Sequence, residues 1–448
     1  MIMLSTIAQL SLHLILLTQP AGGLPAGLDV IHPDPGFYLV LANPDELQSL
    51  KDHDVPHRDL GLWRDLYPAA VISTHLSGYT NVEDPIATQN GRYLIRWDRD
   101  QPPPRGHIAV LPMRGVPPFP ERPLRASSPA DIPFRGASFF PSERFESYLR
   151  QVSGEDPFLF QGQEIALYSR SYDLMTRADH TEAMAVEYLY ITLQSQGYAP
   201  EVLPFAVPYC GAHFNVAVTV PGWLYPDEEV YVTAHFDDRP FSGRAPGADD
   251  NGTGTASMLV ISEMLRCLPP QRTIRLVWVS AEEVGLCGSR GLLESMDTTR
   301  RSNIVADING DMFGYDGNGD GYVPIHAGLM SGSRDLGQIF ADAAVNLGLP
   351  LDVEVLTHNA IAASDHSSFW IYGIPAIEIG EDFFYDSNPA YHRSGDKISA
   401  MHLDYATAIG TAMAATVLSV ANPDPGFYPR TFSCFDRMND SKPAATPR

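Results

Sequence analysis

Three short runs of β-branched and apolar residues constrain this chain more than any other feature. They are Val230-Tyr231-Val232-Thr233-Ala234, Thr273 to Ser280, and Ile304 to Ile308. Strands that are apolar on both faces are buried on both faces, and a helical stretch, Gly254 to Leu268, separates the first two. Strands and helices in alternation build an α/β domain with a mostly parallel central sheet flanked by helices. Further helices are expected at Glu143 to Gln151 and at Thr181 to Gly197, where Gly197 is placed to end the helix in the left-handed conformation.

The N-terminal part reads differently. Short strand-like runs (Phe37 to Leu41, Arg92 to Ile95) alternate with turn residues, giving a smaller β-rich region. Prolines then crowd residues 101–136, as in Pro102-Pro103-Pro104 and Pro117-Pro118, a composition that suits a linker better than a helix or central strand. The apolar run Met3 to Leu17, followed by Ala21-Gly22-Gly23, reads as a signal peptide, although no Lys or Arg precedes it. Apart from that run, no segment is singled out as long and apolar enough to span a bilayer, so the mature protein is expected to be secreted or periplasmic and free of membrane. The expected division is 1–23 signal, 24–135 prosegment or accessory region with linker, 136–422 catalytic-type domain, and 423–448 polar tail. Pro33 to Tyr38 recurs as Pro423 to Tyr428, a paired motif with no functional account.

Charge narrows the partners. Thirty basic residues against fifty-four acidic ones leave a net charge of -24, which repels phosphate backbones and excludes nucleic acid as a partner. The same acidity suits cationic ligands. Four cysteines (Cys210, Cys267, Cys287, Cys434) permit three pairings and lack metal-cage spacing.

Acidic and imidazole residues gather where the strands end. His235-Phe236-Asp237 closes the first strand, and Gly247-Ala248-Asp249-Asp250-Asn251-Gly252 fills a turn before a helix. Glu282-Glu283 follows the second strand, Asp311 the third, and Tyr391-His392 lies in a late loop with Asp396 beyond. Ligand sites in open α/β sheets form beyond the carboxyl ends of the strands, so these residues can converge. A lone His-x-Asp is most often a solvated strand end, but the set together points to a metal site, and mixed imidazole and carboxylate ligands suit zinc. By parity, Asp307 and Asp311 could each face the metal.

The ordered motifs His-x-Asp, Gly-Ala-Asp-Asp-Asn-Gly, Glu-Glu-x-Gly-Leu-x-Gly-Ser, Asp-Met, Ser-Asp-His and Tyr-His resemble the zinc aminopeptidase family of secreted bacterial leucine aminopeptidases. Glutaminyl cyclases and glutamate carboxypeptidases are more distant members. The resemblance spans about residues 142–422 and implies a zinc exopeptidase-like fold with two zincs per chain. It implies one zinc on His235 and Asp311, a second on Glu283 and His392, and Asp249 bridging them, with a cis peptide between Asp249 and Asp250. Glu282 would be the general base, Asp237 would orient His235, and Asp396 would do so for His392. Asp311 is preferred to Asp307 because it matches the family's Asp-Met. Asp365-His366 would hold the loop beneath the site.

The chain departs from the family in two places. Ile361 stands where a tyrosine donates to the oxyanion, and Asn359 and Ala363 replace the bracketing cysteines. Tyr391 or Tyr385 would have to substitute as donor. Aligned on His392, Glu378 falls where leucine-preferring relatives place an apolar pocket residue, with Met312, Phe384 and Tyr391 as neighbours; the alternative is a Glu378 turned to solvent. The implied activity is removal of N-terminal residues from peptides with a free amine. Its rivals are a dipeptidase or carboxypeptidase, a single-zinc glutaminyl cyclase, and a binding protein on an inactive scaffold. Finally, Asp316-Gly317-Asn318-Gly319-Asp320-Gly321 matches the first half of a calcium loop, but Ala327 occupies the twelfth position, where a bidentate glutamate belongs. Calcium therefore stands as an alternative to a solvated turn.

Overall fold

The computed structural model describes residues 123–131 and 140–424, except 172–180, 208–209, 241–242, 329, 358–359 and 384. N-terminal to these it describes 13–18, 29–34, 37–53, 55–62, 69–73, 86–89, 92–96 and 107–110. The first of two small antiparallel sheets contains β1 (His13–Thr18), β2 (Asp29–Asp34), β3 (Phe37–Ala42) and β4 (His57–Leu62), in the order β2-β3-β1-β4. Leu14, Ile15 and Leu17 of β1 are fully enclosed, and Ile15 and Leu17 pack with Val40, Leu47 and Leu50, the last two from the helix Pro44–Asp52. An interior strand of this sheet thus comes from the apolar run expected to be an export signal; the remainder of residues 1–23 lies outside the described residues.

The second sheet contains β5 (Ala69–Ser73), β6 (Ala87–Gln89), β7 (Arg92–Arg96) and β8 (His107–Val110), in the order β6-β7-β5-β8. Its edge strand β8 lies inside the proline-rich stretch expected to be a linker. An edge is where such a sequence can pair, because only one side of the strand needs backbone donors. The repeated motif begins as a hairpin, Pro33 pairing with Tyr38 and Asp34 with Phe37. Of the second copy, only Pro423 and Asp424 are described; the polar tail beyond lies outside the described residues.

After the hairpin β9 (Phe158–Phe160) and β10 (Gln163–Ile165), the chain forms one eight-stranded sheet. Its strands are β11 (Glu201–Val207), β12 (Gly211–Val220), β13 (Tyr225–His235), β14 (Arg272–Val279), β15 (Ile304–Gly310), β16 (Tyr322–His326), β17 (Asp352–Leu356) and β18 (Ala376–Ile379). The order is β11-β12-β14-β13-β15-β18-β16-β17. The centre is parallel (β14, β13, β15 and β18), whereas β11 and β12 on one side and the β18–β16 pairing on the other are antiparallel. The sheet is therefore mixed, with the expected parallel core at its middle.

Alternate residues of the central strands face opposite layers. Val230, Val232 and Ala234 pack with the helices Ser142–Val152, Gly252–Leu265 and Leu403–Ala421. Tyr231, Val277 and Val279 pack with Leu292, Leu293, Phe369 and Trp370 on the other side. By length and composition Leu403–Ala421 could cross a membrane, contrary to the expectation that only the N-terminal run qualifies. Here 83% of its most apolar window is buried, so it serves as a core helix.

Candidate metal centre

The central strands deliver their chemistry at one end of the sheet. His235 ends β13, Asp311 directly follows β15, and Glu282-Glu283 lies just beyond β14. The helix Gly252–Leu265 is capped by Asn251 and pinned against these ends by two polar contacts. Asn251 accepts from Gly254 N at 2.9 Å and donates to the Gly310 carbonyl at 2.8 Å, while Thr255 donates to the His235 carbonyl at 2.9 Å. A side chain at Gly254 would put its Cβ 2.3 Å from the Gly310 carbonyl oxygen, so only glycine permits this approach. Three non-glycine residues beside the site hold left-handed backbone: Ala281 (φ 56°), Met312 (φ 48°) and His392 (φ 55°). Such conformations cluster where surrounding contacts over-determine them.

Two buried triads result, His235–Asp250–Asp311 and Asp250–Glu283–His392, each with its ligand atoms within 4.8 Å of one another. His235 Nε2 lies 3.1 Å from Asp311 Oδ1 and 3.5 Å from Asp250 Oδ1. His392 Nε2 lies 2.9 Å from both Asp250 Oδ2 and Glu283 Oε2. The shared residue is Asp250, one position beyond the aspartate expected to bridge. Asp249 turns away, accepting from Gly314 N at 2.8 Å and from Asn388 Nδ2 at 2.7 Å. Likewise the cis peptide expected at Asp249–Asp250 lies at Asp250–Asn251. In a tight turn one residue of phase decides which carboxylate faces inward, and composition carries no such phase.

Of the supporting residues, Asp237 is placed as expected and Asp396 is not. The Nδ1–H of His235 donates to the Asp237 carbonyl at 3.0 Å, and the Asp237 carboxylate accepts from Glu282 N and Glu283 N at 3.2 and 3.4 Å. Asp237 therefore orients the histidine with its carbonyl and with its carboxylate, 3.6 Å from Nδ1, while the same carboxylate holds the glutamate pair. Asp396, expected to orient His392, instead accepts from Asp249 N and Asp250 N at 2.9 and 3.1 Å, fixing the loop that supplies Asp250. Asp307 accepts from Thr233 at 3.0 Å and joins neither triad. Ser364 donates to Asp311 Oδ2 at 2.6 Å, so the Ser364-Asp365-His366 loop supports the site as expected.

Two positioning residues, Asn388 and Arg170, escaped the sequence reading. Asn388 is a short polar residue whose partner lies far away in sequence. Arg170 is buried and binds the carbonyls of Val152, Phe236, Pro246 and Gly247, tying down the segment between His235 and Asp250. No sequence signal marks a buried arginine whose partners are backbone oxygens.

The donor set fits a divalent cation. With Nδ1–H committed to a carbonyl, the Nε2 lone pair of His235 faces two carboxylates, and acceptor against acceptor requires a bound cation or proton between them. Burial, reinforced by Glu283, holds the Asp250 carboxyl well above its usual range. Burial also raises Glu282, with Asp311 and Glu283 adding to the effect, and pushes Glu283 up to about 8. A cation would relieve this crowding of buried negative groups. Imidazole and carboxylate donors in this ratio suit zinc. The Tyr391 ring stacks on His392 at 3.7 Å between centroids, whereas Tyr385 is 92% exposed and stands in solvent. Residues 359 and 384 lie outside the described residues.

A disulfide links Cys210 to Cys287, and both sulfurs sit in an apolar cluster with Phe205, Val207, Ala281 and Val284. It ties the turn between β11 and β12 to the segment that carries Glu282 and Glu283.

Comparison with known proteins finds a peptidase family, curated relatives and solved structures of similar fold. Residues 215–417 match the model of Peptidase family M28. A probable leucine aminopeptidase of Trichophyton verrucosum is 32% identical over 203 residues, covering 43% of this chain and 53% of that protein. Leucine aminopeptidase 1 of Coccidioides posadasii is 32% identical, covering 43% and 52%. The chain thus spans about half the length of the curated relatives it matches. In fold, it is similar to the LapA aminopeptidase of Legionella pneumophila (TM-score 0.53, 16% identity, 92% of this chain and 98% of that one). It is also similar to BSAP, a zinc aminopeptidase of Bacillus subtilis (TM-score 0.52, 15% identity, 63% and 96%).

Proposed function

From the premise that residues 215–417 form an M28-type peptidase segment on a fold shared with zinc aminopeptidases, we propose that the chain is a two-zinc aminopeptidase. The observation that carries this reading is the pair of triads sharing Asp250, with Glu282 next to the ligand Glu283. His235, Asp250 and Asp311 would hold one zinc, and Asp250, Glu283 and His392 the other. When bound, zinc supplies polarisation of the scissile carbonyl and a lowered pKa for the attacking water.

Glu282 takes a proton from that water as its oxygen bonds to the carbonyl carbon. The C–N bond then breaks, and Glu282 delivers the proton to the departing amine. Burial and neighbouring carboxylates raise Glu282, which suits a group that must accept a proton and then release it. The substrate's free α-amine is cationic, and a buried acidic site favours it over a blocked terminus. Tyr391, whose ring stacks on His392, would donate to the oxyanion in place of the missing tyrosine.

Export belongs to the same reading, and the Cys210–Cys287 disulfide supports an oxidising compartment. Residues 13–18 cannot be both a discarded leader and the strand β1, and N-terminal sequencing of the purified protein decides between them.

The test of function is a panel of amino-acid amides and N-blocked peptides, run alongside zinc analysis. Expected are two zincs per chain, hydrolysis of the amides and no action on blocked termini. Trimming from the carboxyl end would move the reading to a carboxypeptidase, and one zinc per chain would favour the glutaminyl cyclase alternative. Glu282→Gln should keep both zincs and lose about three or more orders of magnitude in kcat, since glutamine preserves shape without basicity. Near-normal turnover or loss of metal in that variant would unseat Glu282 as the base.

A further inference from the structure

The proposed reaction leaves several enclosed acids unused. Glu378 is fully buried and its Oε2 lies 3.2 Å from His366 Nδ1, which excludes the alternative in which it turns to solvent. The acid that reaches toward the catalytic strand end is Glu182, in the first turn of the helix Thr181–Ser195. It accepts from the hydroxyl of Ser280, two residues before Glu282, and both its oxygens lie within 3.0 Å of His213 Nδ1.

His213, on β12 and buried, has an acceptor at each ring nitrogen. Nε2 lies 3.0 Å from the Cys210 carbonyl oxygen, and Nδ1 faces the Glu182 carboxylate. A carbonyl can only accept, so Nε2 carries a proton. A second proton lies between Nδ1 and Glu182, and imidazole is the more basic partner by about two pH units in model peptides. The ring keeps it, and His213 is an imidazolium paired with a carboxylate that also complements its helix dipole. Burial on its own would lower the His213 ring, but the hydrogen bond and charge of Glu182, the Cys210 carbonyl and the charge of Asp237 outweigh it and hold the ring above its ordinary value. The Phe205 ring of β11, 5.8 Å away between centroids, is uncharged.

These contacts close a ring around the turn that carries the chemistry. Ser280 binds Glu182, Glu182 binds His213, and His213 binds the Cys210 carbonyl. Cys210 is bonded to Cys287, whose N–H donates to the Ala281 carbonyl at 3.0 Å. Inside this ring lies Ala281 to Leu286, with Glu282 and Glu283. Asn215, two residues along β12 from His213, fastens the same turn by accepting from Ser280 N at 3.0 Å and donating to the Gly288 carbonyl at 2.9 Å. Of these links, the one whose charge changes near neutral pH is His213.

We propose that Glu182 and His213 are a positioning pair for the turn that carries Glu282, with His213 as a doubly protonated link that clamps the turn and releases it when the second proton leaves. The assignment rests on the reading of Glu282 as the base and adds to it a residue pair and a pH dependence. Without that proton, the Nδ1 lone pair would face the Glu182 carboxylate, and Ser280 would lose its fixed partner. Because the ring is raised in the folded chain, the clamp is complete below about pH 6.5, the ordinary imidazole value, and is lost as the pH climbs through the raised one. A displacement of the base by a fraction of an ångström costs about tenfold in rate.

The experiment uses the full zinc-loaded chain, carbon-13-labelled at histidine, as wild type, Glu182→Gln and His213→Gln. The resonance missing from His213→Gln identifies the ring. Its titration midpoint in the wild type should lie above about 6.5 and should fall in Glu182→Gln. With amino-acid amides as substrates, Glu182→Gln should lower kcat about tenfold at about pH 6 with KM little changed. That gap should close as the pH passes the midpoint read from the resonance. A gap that stays constant with pH would leave the pair a plain brace and overturn the proposal, as would a wild-type midpoint at or below about 6.5 or full kcat in Glu182→Gln. Should His213→Gln fail to fold, the resonance that moves between wild type and Glu182→Gln identifies the ring instead. If the wild type turns over no amide, the aminopeptidase reading fails and melting curves decide the clamp alone. The wild type should then melt about 2 °C or more above Glu182→Gln at about pH 6 and level with it above the titration, whereas an equal difference at every pH would overturn the clamp.

Discussion

Two acidic loops of this chain have similar composition and opposite fates. Ala248-Asp249-Asp250-Asn251 is enclosed at the end of the sheet, and Asp250 stands between two histidines. Asp316-Gly317-Asn318-Gly319-Asp320 is largely exposed, and its side chains turn back on their own backbone: Asp316 accepts from Asp320 N and Gly321 N, and Asp320 accepts from Tyr322 N. The difference teaches that carboxylate density alone does not build a metal centre. What matters is whether burial removes the water that would otherwise solvate the charges and whether imidazoles stand opposite them.

The strongest way to break this comparison is to change Asp250. Because it belongs to both triads, Asp250→Asn should reduce bound zinc from two to one or none and lower kcat/KM by about a thousandfold or more. Asp249→Asn removes a charge from the same loop but spares both triads, so it should keep the metal and lose about tenfold through loosened contacts with Gly314 and Asn388. Zinc analysis of the two variants checks this directly. If Asp249→Asn loses metal and Asp250→Asn does not, the bridging role returns to Asp249.

The same pair marks the limit of what the sequence could reveal. Three central strands of the large sheet, β13, β14 and β15, were legible because β-branched runs such as Val230 to Ala234 can be buried on both faces in few other ways. His235, Glu283, Asp311 and His392 were legible because each sits at or beyond a strand end, or in a named motif. The phase of the turn at Asp249-Asp250 was not, since both residues are aspartate and only the three-dimensional path of the loop separates them. Asp396 was misread for a related reason. Four residues from His392 it looks like that residue's partner, but its oxygens are taken by the backbone of a loop far away in sequence. The N-terminal apolar run shows a third kind of ambiguity, because the composition of an export signal is also that of a buried strand.

A smaller effect is expected from the disulfide, which sharpens the comparison by asking how much of the buried site depends on its frame. Cys210 and Cys287 are 77 residues apart, and the bond ties β11 and β12 to the Glu282-Glu283 segment. Cys210→Ala/Cys287→Ala should cost about 2–4 kcal/mol of stability by denaturant unfolding. Zinc stoichiometry at 25 °C should hold, because Asp237 still fixes both glutamates through their backbone. Zinc loss without unfolding would mean that the disulfide, more than Asp237, holds the ligand loop in place.

The smallest effect belongs to the exposed loop and tests whether it is a second metal site. Asp316 and Asp320 already satisfy backbone donors, Asn318 Nδ2 donates to Asp320 Oδ2 at 2.9 Å, and Asp386 accepts from Asn318 N at 2.9 Å. A calcium ion would need six or more oxygens at about 2.3–2.6 Å, and the position where a bidentate glutamate would complete the shell is Ala327, a buried apolar residue. The loop therefore offers an incoming cation few ligands that are not already shared with its own backbone. Millimolar calcium should leave the melting midpoint of the zinc-loaded protein unchanged, and Asp316→Ala/Asp320→Ala should respond to calcium no differently from the wild type. A calcium-dependent rise of several degrees, lost in the double variant, would show that the loop binds calcium and that exposure is no bar to a metal site in this chain.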